Sequence, residues 1–196
     1  MTIQTHVLRD AAALRDRPAA YGLVSRLDHW IVAGSFLAAL GLGLVIGSGG
    51  LEREQGGALM DWHKLLGVAV LLLGLWRVGW RLAEGFPASA TAMQGWQERA
   101  SKAVHLGLLA AILAMPLSGV LMTLAGGRVL DAWGVTLLPA LPETPWLDAA
   151  AGAVHEALPW AVLALLALHV GGALKHHLVD RDDTLARMTT GRATRA

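Results

Sequence analysis

No cysteine occurs anywhere in the 196 residues. Disulfides, iron-sulfur clusters and thioether-attached haem are therefore excluded, and histidine is left as the main borderline-soft metal ligand. Charge is scarce too: 16% of residues are Asp, Glu, Lys or Arg, and the net charge is +1. No basic stripe remains to neutralise phosphates, so nucleic acid is not an expected partner. Phosphate-binding glycine loops and dinucleotide fingerprints are missing. The zinc-protease pattern fails because His155-Glu156 is followed by Ala157-Leu158-Pro159 rather than by a second histidine at the required spacing. The chain thus shows no machinery for nucleotide or flavin chemistry.

Apolar residues are abundant instead: 55% of the chain is hydrophobic and the mean hydropathy is +0.49, which points to a membrane. Residues 30–47, 103–127 and 157–174 carry no charge, and each run is long enough to cross a hydrocarbon core of about 30 Å. A fourth run, 63–80, contains Lys64 and Arg77 near its ends, where long basic side chains can reach the interface. Tryptophans at 30, 62, 76, 80, 146 and 160 fall near the span ends, as expected for rings favoured at the headgroup level. Pro116 and Pro159 lie inside spans and are tolerable if neighbours satisfy the freed backbone.

Basic residues alternate between the connections. Arg9, Arg15, Arg17 and Arg26 precede span one; Arg77, Arg81, Arg99 and Lys102 lie between spans two and three; Lys175, Arg181, Arg187, Arg192 and Arg195 follow span four. The other two connections hold only Arg53 with Lys64, and Arg128. The positive-inside rule then puts both termini in the cytoplasm. Nothing before Trp30 resembles a secretory signal, so the first span is expected to stay as an anchor. The expected fold is all-α: an integral membrane four-helix bundle with a flexible N-terminal tail over 1–20, a transmembrane domain over 21–188, a C-terminal tail over 189–196 and an ordered outer loop over 128–154.

Ionisable groups inside a bilayer are costly, so each span histidine needs a reason. Five sit at span positions: His29, His63, His105, His155 and His169. His155 and His169 are 14 residues apart, which in an α-helix is about 21 Å of rise and about 40° short of four full turns. One helix thus offers a ligand near each membrane face. His63 matches the depth of His155 on the outer side, and His29 that of His169 on the inner side. Two bis-histidine pairs of this kind suit two b-type haems, each macrocycle filling the apolar interior of a bundle. Glycines 41, 43, 67, 107, 171 and 172 give the porphyrin room or let helices pack closely. His105 competes with His29 as partner for His169, or else bonds a haem propionate. His176, roughly 10 Å beyond His169 and about 20° off the same face, suits a quinone headgroup that needs a hydrogen-bond donor and a proton source; the plainer reading is an ordinary interfacial histidine beside His177. Arg77, Arg81 and Lys64 can pair with haem propionates. Lys64 and Arg128 could also draw an anion to the outer haem, against the opposing Glu52, Glu54, Asp131 and Glu143.

Tyr21, Ser25-Arg26 leading to His29-Trp30, then His63-Lys64 with Gly67, then Arg77, Trp80 and Arg81, occur in an order that resembles the bacterial cytochrome b561 family of four-helix di-haem membrane proteins. So do His105 followed by Met115-Pro116 and Gly119, His155, His169, Lys175-His176-His177, and the run Asp180-Arg181-Asp182-Asp183 through Leu185, Arg187 and Met188. The resemblance covers about Tyr21 to Met188. It implies the same axial ligands, His29, His63, His155 and His169, and a quinone partner; for some members it implies oxidation of superoxide on the outer face with electrons delivered to ubiquinone. Related b-type subunits instead anchor hydrogenases and other dehydrogenases. The expectation is a cytochrome of the bacterial inner membrane that moves electrons from superoxide, the preferred donor, or a redox protein to the quinone pool. The alternative is a relay and anchor subunit of a larger complex.

Overall fold

The computed structural model describes residues 14–191. Most of both expected tails, with His6, lies outside them. Four long helices dominate: α1 Leu23–Gly47, α2 Arg53–Glu84, α3 Gly95–Ala125 and α4 Pro145–Lys175. A π-helical turn, His176–Asp180, continues α4, and a short α5, Thr184–Thr189, follows. The four long helices have 25 to 32 residues, so at 1.5 Å per residue they exceed a bilayer's apolar core and carry polar ends into the headgroup zone. All four are long and apolar enough to cross a membrane. The chain is an all-α membrane protein, apart from one hairpin.

Helix α2 starts ten residues before His63, because the charges of Arg53, Glu54 and Asp61 end an apolar run without ending a helix. The expected loop after α3 is partly a hairpin, β1 Leu130–Ala132 and β2 Val135–Leu138, paired antiparallel. Its two turn residues, Trp133 and Gly134, both have positive φ, 48° and 75°, as a tight hairpin turn matching strand twist requires. Leu130 and Ala132 are buried. The Trp133 amide donates to Asp61 (3.2 Å), and its ring meets Trp62 edge-on. Pro116 removes the N–H that would bond the carbonyl of Ile112; that carbonyl lies 3.1 Å from where a Cβ on Gly74 would stand, so the glycine gives the freed oxygen its space.

The chain divides into two compact units. One comprises, among the described residues, 14–31, Trp76–Gly107 and 165–191; the other comprises Val32–Leu75 and Leu108–Ala164. Their interiors differ in chemistry. The second has an apolar core, with Val70, Ala125 and Val162 almost completely buried. The first buries Ser25, Asp28, Arg81, Asp183 and Arg187. Arg81 is its hub: it donates to Asp16 (2.6 Å), to the Gly85 carbonyl (2.8 Å) and to the Ser25 hydroxyl, which also accepts from Trp80 (2.8 Å). Residues 17 and 20 exchange backbone hydrogen bonds, closing a turn beside Asp16. Only 6% of the most apolar stretch of the last spanning helix is buried; such a surface needs lipid around it.

The Asp16–Arg81 side chains are 6% and 4% exposed, and removing one partner of a buried ion pair leaves an uncompensated charge. Arg81→Met should therefore destabilise the protein by about 3 kcal/mol or more, read as a lowered thermal unfolding midpoint in detergent. Lys102→Met, at the exposed pair with Glu98, should leave the midpoint unchanged.

Two histidine pairs as candidate haem sites

In the apolar unit, α2 brings His63 to His155 on α4, with ring centroids 6.0 Å apart. The two histidines are held by the same device. His63 Nδ1 lies 3.0 Å from the Ala39 carbonyl of α1, and His155 Nδ1 lies 3.0 Å from the Met115 carbonyl of α3. A carbonyl only accepts, so each Nδ1 carries the proton and each Nε2 keeps its lone pair, the form in which imidazole ligates a metal. Four residues after each carbonyl stands a glycine. A Cβ on Gly43 would lie 3.0 Å from His63 Cε1, and one on Gly119 would lie 2.8 Å from His155 Cε1. The carbonyl holds the ring and the glycine makes room for it. Ser118 adds a contact of 3.1 Å to His155 Nδ1.

The two rings border a cavity of about 580 Å³, lined also by Phe36, Leu40, Gly43, Gly67, Val70 and Pro159. That volume is within the range of cofactor sites. Imidazole nitrogen to metal bonds are about 2.0–2.1 Å for zinc and close to that for iron, so two rings on opposite sides of one iron have centroids about 6 Å apart. Separation, tautomer and cavity all fit a haem.

In the polar unit, His29 of α1 and His169 of α4 stand at 6.1 Å between centroids. His105 of α3 is nearer to His169, at 5.1 Å and perpendicular. Only the longer distance leaves room for an iron. The tautomers point the other way: His105 Nδ1 donates to the Ser101 carbonyl (2.7 Å), whereas His29 Nδ1 faces the Arg77 guanidinium (3.1 Å), which can only donate. Separation outweighs tautomer here, since the proton can change nitrogen and the Arg77 side chain turn away from it without moving a helix. Asp28 Oδ1, buried and without a hydrogen-bond partner, is an unclaimed acceptor beside His29. Arg77 also pairs with Asp28 (2.7 Å), and the His29 and Asp28 contacts together occupy two of its five donors.

Lys64 and Arg128 are both neutralised, Lys64 by Asp131 (3.1 Å) and by Asp61 (3.9 Å), and Arg128 by Asp148 (3.2 Å). The expected attraction of an anion by these cations therefore has little net charge behind it. His176 is met by Asp182, absent from the sequence-level candidates. Burial would raise the Asp182 carboxyl, but hydrogen bonds from Thr184 and His176 hold it below the usual carboxylate range.

Helices that cross a membrane, with imidazoles paired at the spacing of an iron, define a class: haem-binding membrane electron carriers. The sequence profile of the prokaryotic cytochrome b561 family matches residues 20–191, and the chain belongs to that family. It is 34% identical over 179 residues to cytochrome b561 homolog 2 of Escherichia coli (strain K12), covering 87% of this chain and 92% of that one. Cytochrome b561 homolog 1 of the same organism is 28% identical over 132 residues, 66% of this chain and 74% of its own. The protein is thus a multi-pass membrane cytochrome of a bacterial family, binding haem b and transferring electrons.

Gly119→Ala should force the His155 ring aside and deplete one haem, read as a haem to protein ratio well below wild type. Gly152→Ala, where an added Cβ meets nothing within 4 Å, should keep the wild-type ratio.

Proposed function

We propose that this cytochrome holds two haem b groups, one ligated by His63 and His155 and one by His29 and His169, and carries electrons from a donor at the first to ubiquinone near the second. The observation that carries this reading is the pair of histidine couples, each about 6 Å between ring centroids. Helix α4 supplies one member to each couple. Bound haem would supply one-electron chemistry, its iron alternating between ferric and ferrous. The chain's residues do the rest. Ala39 and Met115 fix the tautomers of His63 and His155, and Arg77, with donors to spare, would hold an inner haem propionate.

The alternation of basic residues supports a bacterial inner-membrane location with both termini cytoplasmic, which makes the His63–His155 side periplasmic. Superoxide is the preferred donor there: a one-electron reagent needs no dehydrogenase domain. Two superoxide ions give two O₂ and two electrons, and one ubiquinone takes those electrons with two protons to become the quinol.

A second reading, a relay and anchor subunit of a larger oxidoreductase, is favoured by apolar residues exposed on the hairpin and at the start of α4, Val135 (64%), Trp133 (50%) and Trp146 (72%). A stable stoichiometric partner on gentle purification would support it, and full superoxide-to-quinone turnover by the isolated chain would exclude it.

In redox difference spectra, His63→Ala and His155→Ala should lose the same haem, and His29→Ala and His169→Ala the other. His105→Ala should keep both. Superoxide added to the oxidised wild type should reduce its haem, and ubiquinone should reoxidise it; no haem reduction on mixing would reject the donor.

A further inference from the structure

The last turn of α4 departs from α-helical geometry. Over His176–Asp180 the bonding widens to i→i+5, so that the Arg181 amide donates to the His176 carbonyl, and Arg181 takes the left-handed conformation (φ 55°). A π-turn followed by a left-handed residue reverses the chain within one residue. It delivers Asp182 back onto His176, six positions earlier. His176 Nδ1 is hydrogen-bonded to Asp182 Oδ2 at 2.7 Å; Asp180 Oδ2 is the second carboxylate near that nitrogen, at 3.1 Å. Asp182's other oxygen accepts the Thr184 amide (2.8 Å), so one carboxylate joins the imidazole to the start of α5. The Asp182 side chain is only 4% exposed, whereas His176 keeps 19% of its side chain open. Its Nε2 makes no hydrogen bond among the described residues.

Resting on the proposed delivery of electrons to quinone, with His176 as the residue that suits its headgroup, we infer that Asp182 is a positioning residue: its carboxylate holds the imidazole with the proton on Nδ1, leaving Nε2 to exchange a proton with a carbonyl oxygen of the bound quinone. A carboxylate accepts and cannot donate, so in the neutral ring Nδ1 is the protonated nitrogen and Nε2 the basic one. When Nε2 takes a proton from water, the ring becomes cationic, and the carboxylate 2.7 Å from Nδ1 stabilises the charge and keeps the ring's orientation. Bound haem would supply the two electrons, one at a time. One quinone oxygen gains an O–H bond as the Nε2–H bond breaks, the other takes its proton from water, and Nε2 is reprotonated from water for the next cycle.

Two plainer accounts explain less. Anchoring of α5 does not require the bond to His176, because the Thr184 amide on Asp182, Arg187 on the Ala88 carbonyl (2.9 Å) and Trp30 on the Met188 carbonyl (3.2 Å) already fix that segment. A divalent cation could in principle be gathered by His176, Asp180 and Asp182, whose ligand atoms lie within 4.8 Å of one another. Asp180, however, is held through both oxygens by the Lys175 ammonium (2.7 and 3.0 Å), which supplies the positive charge a metal would bring.

Asp182→Asn is the discriminating change. The asparagine oxygen still accepts the Thr184 amide, but its NH₂ group then faces His176 Nδ1; Asp180 Oδ2, 3.1 Å from that nitrogen, is held by Lys175, so Nδ1 becomes the acceptor and the ring proton moves to Nε2. Full-length haem-loaded protein with ¹⁵N-labelled histidine, in lipid nanodiscs, gives two readouts. The first is the His176 nitrogen spectrum, assigned by comparison with His176→Ala: wild type should show protonated Nδ1 and bare Nε2, and Asp182→Asn the reverse. The second is anaerobic reoxidation of reduced protein by a short-chain ubiquinone. Asp182→Asn should lower the maximal rate about tenfold or more, at the low end for a lost acid-base group, with KM changed less than about twofold. Asp182→Glu should recover much of both, and Asp180→Asn should retain the wild-type tautomer. If His176→Ala reduces quinone at the wild-type rate, the quinone reading itself fails. If His176→Ala is slow while Asp182→Asn keeps the wild-type tautomer and rate, the positioning role is overturned and the quinone site stands. Stoichiometric Zn²⁺ binding to wild type, abolished equally by Asp180→Asn and Asp182→Asn, would also overturn it in favour of a cation site.

Discussion

An imidazole binds iron through one nitrogen only while its other nitrogen keeps the proton, and in a membrane interior that proton must be given an acceptor. Two main-chain carbonyls meet this requirement here. Helix carbonyls are normally consumed by their own ladder, so a second donor must approach from the side, and close approach requires that nothing project from the next turn. Gly43 follows Ala39 by four residues, and Gly119 follows Met115 by four; the same constraint has been solved identically on two helix pairs. The fixed tautomers, the spacing of the rings and the cavity they border all depend on those two contacts.

The two units solve the burial problem in opposite ways. Around His63 and His155 the interior is largely aliphatic and the cavity is lined mainly by apolar side chains such as Phe36, Leu40 and Val70, a setting that favours a flat apolar macrocycle. Around His29, His105 and His169 the interior is ionic: Arg81 pairs with Asp16 and Arg77 with Asp28, whose second oxygen is left without a hydrogen-bond partner. An environment of that kind can stabilise charge and deliver protons, which electron transfer to a quinone demands and simple electron storage does not. Buried arginine pairs are costly to desolvate, so their concentration in one unit is better explained by chemistry than by stability.

Much of this was legible in the sequence. Charge-free runs gave the spans because nothing but lipid-compatible length and composition decides them, and helix arithmetic on His155 and His169 anticipated the pairs that stand near 6 Å. Other features left no such trace. Partner carbonyls carry no side-chain signature, so Ala39 and Met115 were invisible, although the glycines that follow them were already among the residues singled out. The hairpin at Trp133-Gly134 depends on two consecutive positive φ values that composition does not announce. Asp182 was passed over because a π-turn and a left-handed arginine, neither predictable from periodicity, are what fold it onto His176.

The central claim is that each couple grips one iron through two neutral imidazoles. The most direct measurement is haem quantification of the purified wild-type protein, combined with electron paramagnetic resonance of its oxidised form. The account predicts two haem b per chain and two distinct low-spin ferric signals of bis-imidazole type. A single haem per chain, or a high-spin signal from an iron lacking its second nitrogen ligand, would contradict it.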